Sequence, residues 1–285
     1  MTHNYLITGA TGMLGRDIQH ALAGKPVTAL GRADLDVTDT DAVERAVAGH
    51  DVVINCAAYT KVDDAETDED AAFAVNATGP ANLARAAATH GARLVQVSTD
   101  YVFDGAATEP YAENAPRHPI SAYGRTKAQG EVLALTLNPG ATYVVRTAWT
   151  YGEHGPNFAK TMLKLATTHD TVSVVNDQHG QPTWTMDVAQ QIVHMLEKGL
   201  TPGIYHATSS GQTTWFEFTK EIFRAVGLDP ERVTPTTSAA FVRPAPRPAS
   251  SVLGHDSWQR GGMEPLRDWR EALAAAAASG VLQSS

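Results

Sequence analysis

Cysteine is nearly absent from this chain of 285 residues, Cys56 being the single one. That excludes an intrachain disulfide and any thiolate cluster for zinc, and it suits a reducing compartment. Positive charge is also short: 22 Lys and Arg face 31 Asp and Glu, for a formal net charge of -9, and no Lys/Arg block stands apart. A phosphate-rich partner needs a basic face, so no nucleic acid is expected. The 11 histidines are scattered without H-E-x-x-H or comparable spacing, and no metal is expected. No apolar run nears the roughly 18 residues of a membrane span. The residues before the first apolar run lack a basic stretch and a leader-like apolar core. These absences predict a cytoplasmic protein with no membrane partner.

What remains is 43% hydrophobic residues and length enough for one large α/β domain, or a domain with a smaller companion. The chain opens with an apolar run that leads into Gly9, Gly12 and Gly15. The pattern predicts a strand, a tight turn and the first turn of a helix, whose free N–H groups would face an anion. Gly9 would allow the turn, Gly12 the approach of a pyrophosphate, and Gly15 close packing of helix on strand. Alone, such a turn fits any α/β loop as well as a dinucleotide site.

A helix is predicted over Met13 to Ala23 and a second strand over Val27 to Leu30, ending at Gly31-Arg32. An NAD-preferring unit usually has an acidic side chain there for the ribose hydroxyls. Here Gly31 would leave space and Arg32 would supply a cation suited to a 2′-phosphate, against the simpler reading of a solvated arginine. Asp36 and Val37 are placed to line an adenine. Thr38 is the expected N-cap of a helix reaching Ala48.

Asp51 to Ile54 reads as a third strand, running into Asn55-Cys56-Ala57-Ala58-Tyr59. Small residues at a strand's carboxyl end leave room for a cofactor, or simply for tight helix packing. Cys56 reads as a small buried hydrophobe rather than a nucleophile. The acidic run Asp63 to Asp70 reads as a solvated face near a helix start. A helix over Asn76 to His90 and a fourth strand over Arg93 to Val97 complete an alternation that predicts a doubly wound α/β fold with a parallel, Rossmann-type sheet.

Ser98-Thr99-Asp100-Tyr101 follows the fourth strand, and Ser121, an expected N-cap, opens a helix carrying Tyr123 and Lys127. Residues four apart share a helix face. A tyrosine with a pKa of about 10 is a poor proton shuttle near neutrality, and an adjacent ammonium is expected to lower it. Lys127 can also hold a nicotinamide ribose, and Thr99 can bond an oxygen on which negative charge develops. Y-x-x-x-K alone is common; in this order, after the glycine turn and the Ser-Thr strand end, it is a strong signal.

Together the segments Gly9 to Gly15, Asn55 to Glu66, Ser98 to Gly105, Tyr123 to Lys127, Arg146 to Trp149, Pro156 to Leu163 and Val175 to Thr183 resemble the extended short-chain dehydrogenase/reductases. Within them the chain resembles the dTDP-4-dehydrorhamnose reductases. The resemblance implies dinucleotide contacts at Gly12, Met13, Leu14, Asp36, Val37, Ala57, Ala58, Tyr59 and Val97. It implies sugar contacts at Thr99 and Asp100, with Tyr123 as proton donor, Lys127 as its partner and Trp149 packing on the substrate. Related dehydratases carry Asp-Glu after the threonine. Here Tyr101 follows Asp100, which favours plain reduction.

The implied cofactor is NADPH, with NADH as the alternative, and the implied partner is a dTDP-4-keto-6-deoxysugar. The alternatives are a different 4-ketoreductase of a natural-product deoxysugar pathway, or a non-catalytic subunit like the regulatory one of methionine adenosyltransferase. Two departures stand out. The family's Arg-Pro-x-Asn-Ser-x-Leu reads Arg247-Pro248-Ala249-Ser250-Ser251-Val252-Leu253, and Asp17 and Met186 stand where some members place magnesium-binding glutamates. No metal and a monomer or weak homodimer are therefore expected.

The remaining elements are a strand over Tyr143 to Thr147, helices over Asn157 to Thr167 and Thr185 to Glu197, and a strand over Gly203 to Ala207. A Thr214-capped helix follows, whose aromatic cluster reads as core. Arg243 to Pro248 cannot be regular helix or central strand; it is a solvated connector or, with Arg247, a clamp on a diphosphate. A closing helix is expected over Pro265 to Ser279, with Val281 to Ser285 frayed. The expected division is a dinucleotide-binding domain over 1–149 and a mainly nucleotide-sugar-binding part over 150–285, with segments returning to the first.

Overall fold

The structure, a computed structural model, describes residues 3–282. A parallel sheet of six strands forms its centre. The first five in sequence are β1 (Tyr5–Thr8), β2 (Val27–Leu30), β3 (Val52–Asn55), β4 (Arg93–Thr99) and β5 (Thr142–Thr147). Their spatial order is β2, β1, β3, β4, β5, and Gly203–His206 adds the sixth strand beside β5. The order reverses between β1 and β3, and a ligand crevice in such sheets lies outside the carboxyl ends at that reversal.

Successive residues of a strand face opposite sides, and β1 shows it. Tyr5 and Ile7 join a core with Ile18 of α1 (Met13–Ala21), with Leu22 just past its end, and with the helix Thr185–Glu197. Leu6 joins the opposite core with α2 (Thr40–Val47) and the alanine-rich helix Gly79–His90. Both faces are covered, as the near-continuous apolar runs of β1 and β3 require. A third apolar cluster gathers Tyr151, Met162, Phe218, Phe223, Trp269 and Leu273 beyond the sheet. The later chain is thus split: Thr185–Glu197 and Gly203–His206 pack in the first body, while most of the rest builds its own core. Among the described residues no helix is long and apolar enough to cross a membrane.

Several local expectations change. Asp39, not Thr38, caps α2, its carboxylate accepting from Ala42 N. The helix expected from Asn76 begins at Glu69 and passes through a π-turn at Ala74–Thr78. Leu266–Asp268 is a short strand paired with Ser209–Ser210, and the closing helix starts only at Trp269, capped by Asp268. Val281 and Leu282 are buried in the third cluster rather than frayed; 283–285 lie outside the described residues.

The acidic run is not simply solvated. Glu66 accepts from Ala122 N at the start of the Tyr123 helix, Glu69 pairs with Arg125, and Asp63 binds Arg243 and Arg247.

Candidate functional site

A single cavity of about 1190 Å³ runs along the carboxyl ends of the strands. That exceeds the roughly 300–1,000 Å³ of an ordinary small-molecule pocket. Its wall includes Gly9, Gly12, Met13, Leu14, Gly15, Arg32, Asp36, Val37, Ala57, Ala58, Tyr59 and Val97, and also Thr99, Asp100, Tyr123, Lys127 and Trp149. Of the residues expected to form the site, only Arg247 lies outside it. Arg247 lines an adjoining cleft that shares Thr60 and Val62 with the main cavity.

The glycine turn is built for backbone approach. Gly9 has φ +66°, and a Cβ there would lie 2.5 Å from Ala57 N; at Gly15 it would lie 2.5 Å from the Gly9 carbonyl. Gly12 opens α1 with no side-chain cap, so the first N–H groups of the helix are free for an anion. Gly31 does not leave space as expected: a Cβ there would meet the Thr11 methyl at 2.8 Å, and Gly31 N donates to Asp34 Oδ2 at 2.9 Å. Arg32 is exposed beside it on the cavity wall.

Buried amides set the small-residue wall. Thr8 Oγ1 (2.6 Å) and Ala57 N (3.0 Å) both donate to Asn55 Oδ1, while Asn55 Nδ2 donates to Gln96 Oε1 at 2.7 Å. Asn76, in the π-turn, accepts from Tyr59 N at 2.8 Å and donates to Tyr59 O at 3.1 Å. Cys56, between these anchors, has its thiol pushed up to about 12 by burial, which outweighs nearby Lys127. It is an inert wall group.

The Tyr123 helix, Ala122–Leu137, starts where Ser121 Oγ accepts from Gly124 N at 3.1 Å. Such a cap is worth about 1 kcal/mol. Lys127 Nζ donates to Val97 O at 2.7 Å. Burial pushes its pKa down to about 8, against the Glu131 carboxylate one turn further on. The expected lowering of Tyr123 by Lys127 does not hold. Burial raises the phenol above its ordinary value, the Asp100 charge adds to the rise, and a hydrogen bond with Thr99 opposes it. Tyr123 therefore stays protonated near neutrality. Thr99 Oγ1 donates to Asp100 Oδ1 at 2.9 Å, and burial lifts Asp100 to about 6 against hydrogen bonds with Ser251 and Thr99.

Glu131 anchors this wall from behind. Fully buried, it accepts from Ser98 Oγ, Arg117 Nε and both Nε and Nη2 of Arg146. Burial disfavours its charge, but the bonds and charge of Arg146, then Arg117, hold its carboxyl below the usual range. Arg146 Nη1 also donates to His206 Nε2 at 3.1 Å, so Nδ1 carries the imidazole proton toward Gly254 O at 2.8 Å. Breaking such a buried pair on one side costs about 3–5 kcal/mol.

Trp149 closes the far end. It is the one non-glycine residue with positive φ among the described residues, at 46°, a conformation that costs about 1–3 kcal/mol. Its ring stacks on Trp215 with centroids 3.6 Å apart and planes 9° apart. The expectation that the aromatic cluster of the Thr214-capped helix is core holds for Phe216 and Phe218, while Trp215 is half-buried and stacks on a residue of the cavity wall. Its place at the start of its helix is what sets it apart.

The strap Arg243–Pro248 resolves the two readings of that stretch in part. It is no free connector: Asp63 Oδ2 accepts from Arg243 Nη2 at 2.7 Å, and Asp63 Oδ1 lies 3.0 Å from Arg247 Nη2 and accepts from Ala245 N at 3.2 Å. Burial works to raise the Asp63 carboxyl, but Arg243, Ala245 and Arg247 hold it below its usual range.

Fold and cavity together define a Rossmann-type protein with a long, glycine-edged cleft and a Thr-Tyr-Lys set at its centre. The family model described as the RmlD substrate binding domain matches residues 3–281. The chain belongs to that family. It is 52% identical over 277 residues to a dTDP-4-dehydrorhamnose reductase of Streptomyces griseus, spanning 94% of this chain and 91% of that protein. It is 53% identical over 274 residues to a probable dTDP-4,6-dihydroxy-2-methyloxan-3-one 4-ketoreductase of Streptomyces antibioticus, spanning 94% of this chain and 92% of the other. The crystal structure of dTDP-4-dehydrorhamnose reductase from Bacillus anthracis in complex with NADP superposes with a TM-score of 0.94 at 36% identity, covering 98% of this chain and 100% of that one.

Proposed function

We propose that this protein reduces the C4 ketone of dTDP-4-dehydro-L-rhamnose to give dTDP-L-rhamnose, with NADPH as reductant. The observation that carries the reading is the gathering of Thr99, Tyr123 and Lys127 in the same cavity as the glycine turn. The cradle fits a dinucleotide: Gly9 and Gly15 have no room for side chains, and Gly12 leads into uncapped helix N–H groups. Met13, Leu14, Asp36, Val37, Ala57, Ala58, Tyr59 and Val97 would line the cofactor, Lys127 would hold its nicotinamide ribose, and Arg32 would take the 2′-phosphate that distinguishes NADPH. Bound there, the reduced nicotinamide supplies a hydride to the ketone carbon.

The chain's own groups supply the rest. Tyr123 starts as a protonated phenol and delivers its proton to the nascent C4 alkoxide, so the raised pKa leaves the acid loaded for the reductive direction. Thr99 bonds the same oxygen as charge develops. The Lys127 ammonium would favour the phenolate that Tyr123 becomes during reduction, an effect outweighed in the ligand-free protein by burial and the Asp100 charge. Asp100 and Trp149 orient the sugar, and Arg247 reaches the diphosphate from the adjoining cleft. The part from residue 150 onward covers the nucleotide-sugar, while Gly203–His206 remains a strand of the cofactor-side sheet. Tyr123→Phe is expected to lower kcat/KM by about 10² to 10⁴ with NADPH affinity unchanged, read from steady-state kinetics and cofactor fluorescence titration. Wild-type turnover in that variant would remove Tyr123 from the mechanism.

A second reading keeps the chemistry and changes the sugar. The Streptomyces antibioticus relative carries a different dTDP-keto-sugar in its name at 53% identity, and Ser250 stands where the resemblance expects asparagine. Proton NMR of the product's C4 configuration separates the two.

A further inference from the structure

Trp149 lines the cavity in a backbone conformation that large side chains rarely adopt. Something must hold it there, because a residue in a sparsely populated region relaxes unless its surroundings over-determine it. Two features do so. Gly180 gives the indole room: a Cβ at that position would collide with Cε2, Cζ2 and Nε1 of the Trp149 ring. Trp215 backs the ring face to face at 3.6 Å, nearly parallel.

Trp215 is itself fixed from two sides. Phe158 packs against it at 4.3 Å between centroids, and its Nε1 donates to Gln178 Oε1 at 3.2 Å. Gln178 Nε2 in turn donates to Ser238 Oγ at 2.9 Å, on the segment that leads into the Arg243–Pro248 strap. The indole pair is half-buried rather than sealed in the core, and one member reaches the cleft while the other does not. We infer that Trp215 is a positioning residue for sugar recognition, holding Trp149 against the substrate by stacking on its back face. The inference rests on the reading that Trp149 walls the sugar subsite.

The test compares Trp215→Leu, Trp215→Phe, Trp149→Phe and the Trp215→Leu/Trp149→Phe double variant, each assayed with NADPH and dTDP-4-dehydro-L-rhamnose. Trp215→Leu is expected to raise KM for the sugar nucleotide roughly tenfold while kcat and NADPH affinity change little, and Trp215→Phe to recover most of the loss. The double variant should be no worse than Trp149→Phe alone, because both changes remove one unit. An unchanged KM in Trp215→Leu, with KM raised in Trp149→Phe, overturns the inference and leaves the sugar-wall reading standing. An unchanged KM in Trp149→Phe overturns the sugar-wall reading itself. Should Trp215→Leu not fold, Gln178→Leu, which releases the Trp215 indole N–H, carries the test. A raised KM for the sugar nucleotide with kcat and NADPH affinity little changed is expected, and a wild-type KM overturns the inference.

Discussion

In the proposed function Lys127 carries a positive charge to hold a ribose and to steady a tyrosinate, and it is buried. Burial brings its pKa to about 8, with Glu131 opposing the fall. Reduction is therefore expected to run on the ammonium form, and kcat/KM to decline as pH rises through about 8. Replacing Glu131 with Gln removes the anion that supports the charge, so the decline should begin at lower pH. A profile that stays flat well above pH 8, or one that Glu131→Gln leaves in place, would detach Lys127's charge from catalysis. The unfolded chain binds this proton more tightly than the folded one, so the ligand-free protein gains stability from Lys127 as pH climbs from about 8 toward the ordinary lysine value. At this scale the Tyr123-x-x-x-Lys127 pair was readable from its spacing together with the glycine turn and the Ser-Thr strand end that precede it. The direction of the Tyr123 shift was not, since the burial and the charge of Asp100, just past β4, reach the helix only on folding.

The elements show the same boundary between local and distant causes. Ser121 and Thr214 were readable as caps because the capping oxygen and its N–H lie three residues apart in the chain. Thr38 was misjudged against its neighbour Asp39, where two capping residue types adjoin and pattern cannot choose. Leu266–Asp268 pairs with Ser209–Ser210 far away in sequence, so nothing nearby announces a strand. The acidic run hid its partners for the same reason. Asp63 meets Arg243 and Arg247 across 180 and 184 positions, and all three line the cleft that adjoins the main cavity. Partly exposed pairs of this kind contribute about 0.2–1 kcal/mol each. Asp63→Asn is expected to raise KM for the sugar nucleotide about two- to tenfold, to weaken its salt dependence, and to leave NADPH affinity alone. A variant whose KM and salt dependence match wild type would show that the strap needs no such anchor.

On the scale of the whole molecule, the sheet reverses between β1 and β3, the later chain splits between two cores, and the main cavity and the Arg247 cleft adjoin. The α/β alternation was legible because each element buries its own apolar pattern. A strand over Gly203 to Ala207 was readable from pattern and a return of some segment was implied by the resemblance, but which segment returns to the sheet edge is set by its pairing with β5, distant in sequence. Choice of cofactor belongs to this scale too, and in the proposed function it rests on Arg32, exposed on the cavity wall. Arg32→Ala should cut the preference for NADPH over NADH about tenfold or more, the worth of a charge-assisted hydrogen bond to phosphate, read as the ratio of their kcat/KM values. An unchanged ratio would place the 2′-phosphate elsewhere.

The central claim is tested most directly by following NADPH oxidation with the purified protein alone and dTDP-4-dehydro-L-rhamnose, with NMR assignment of the product. The account predicts stoichiometric oxidation yielding dTDP-L-rhamnose; no oxidation with that substrate or with any of a panel of other dTDP-4-keto-6-deoxysugars would contradict it.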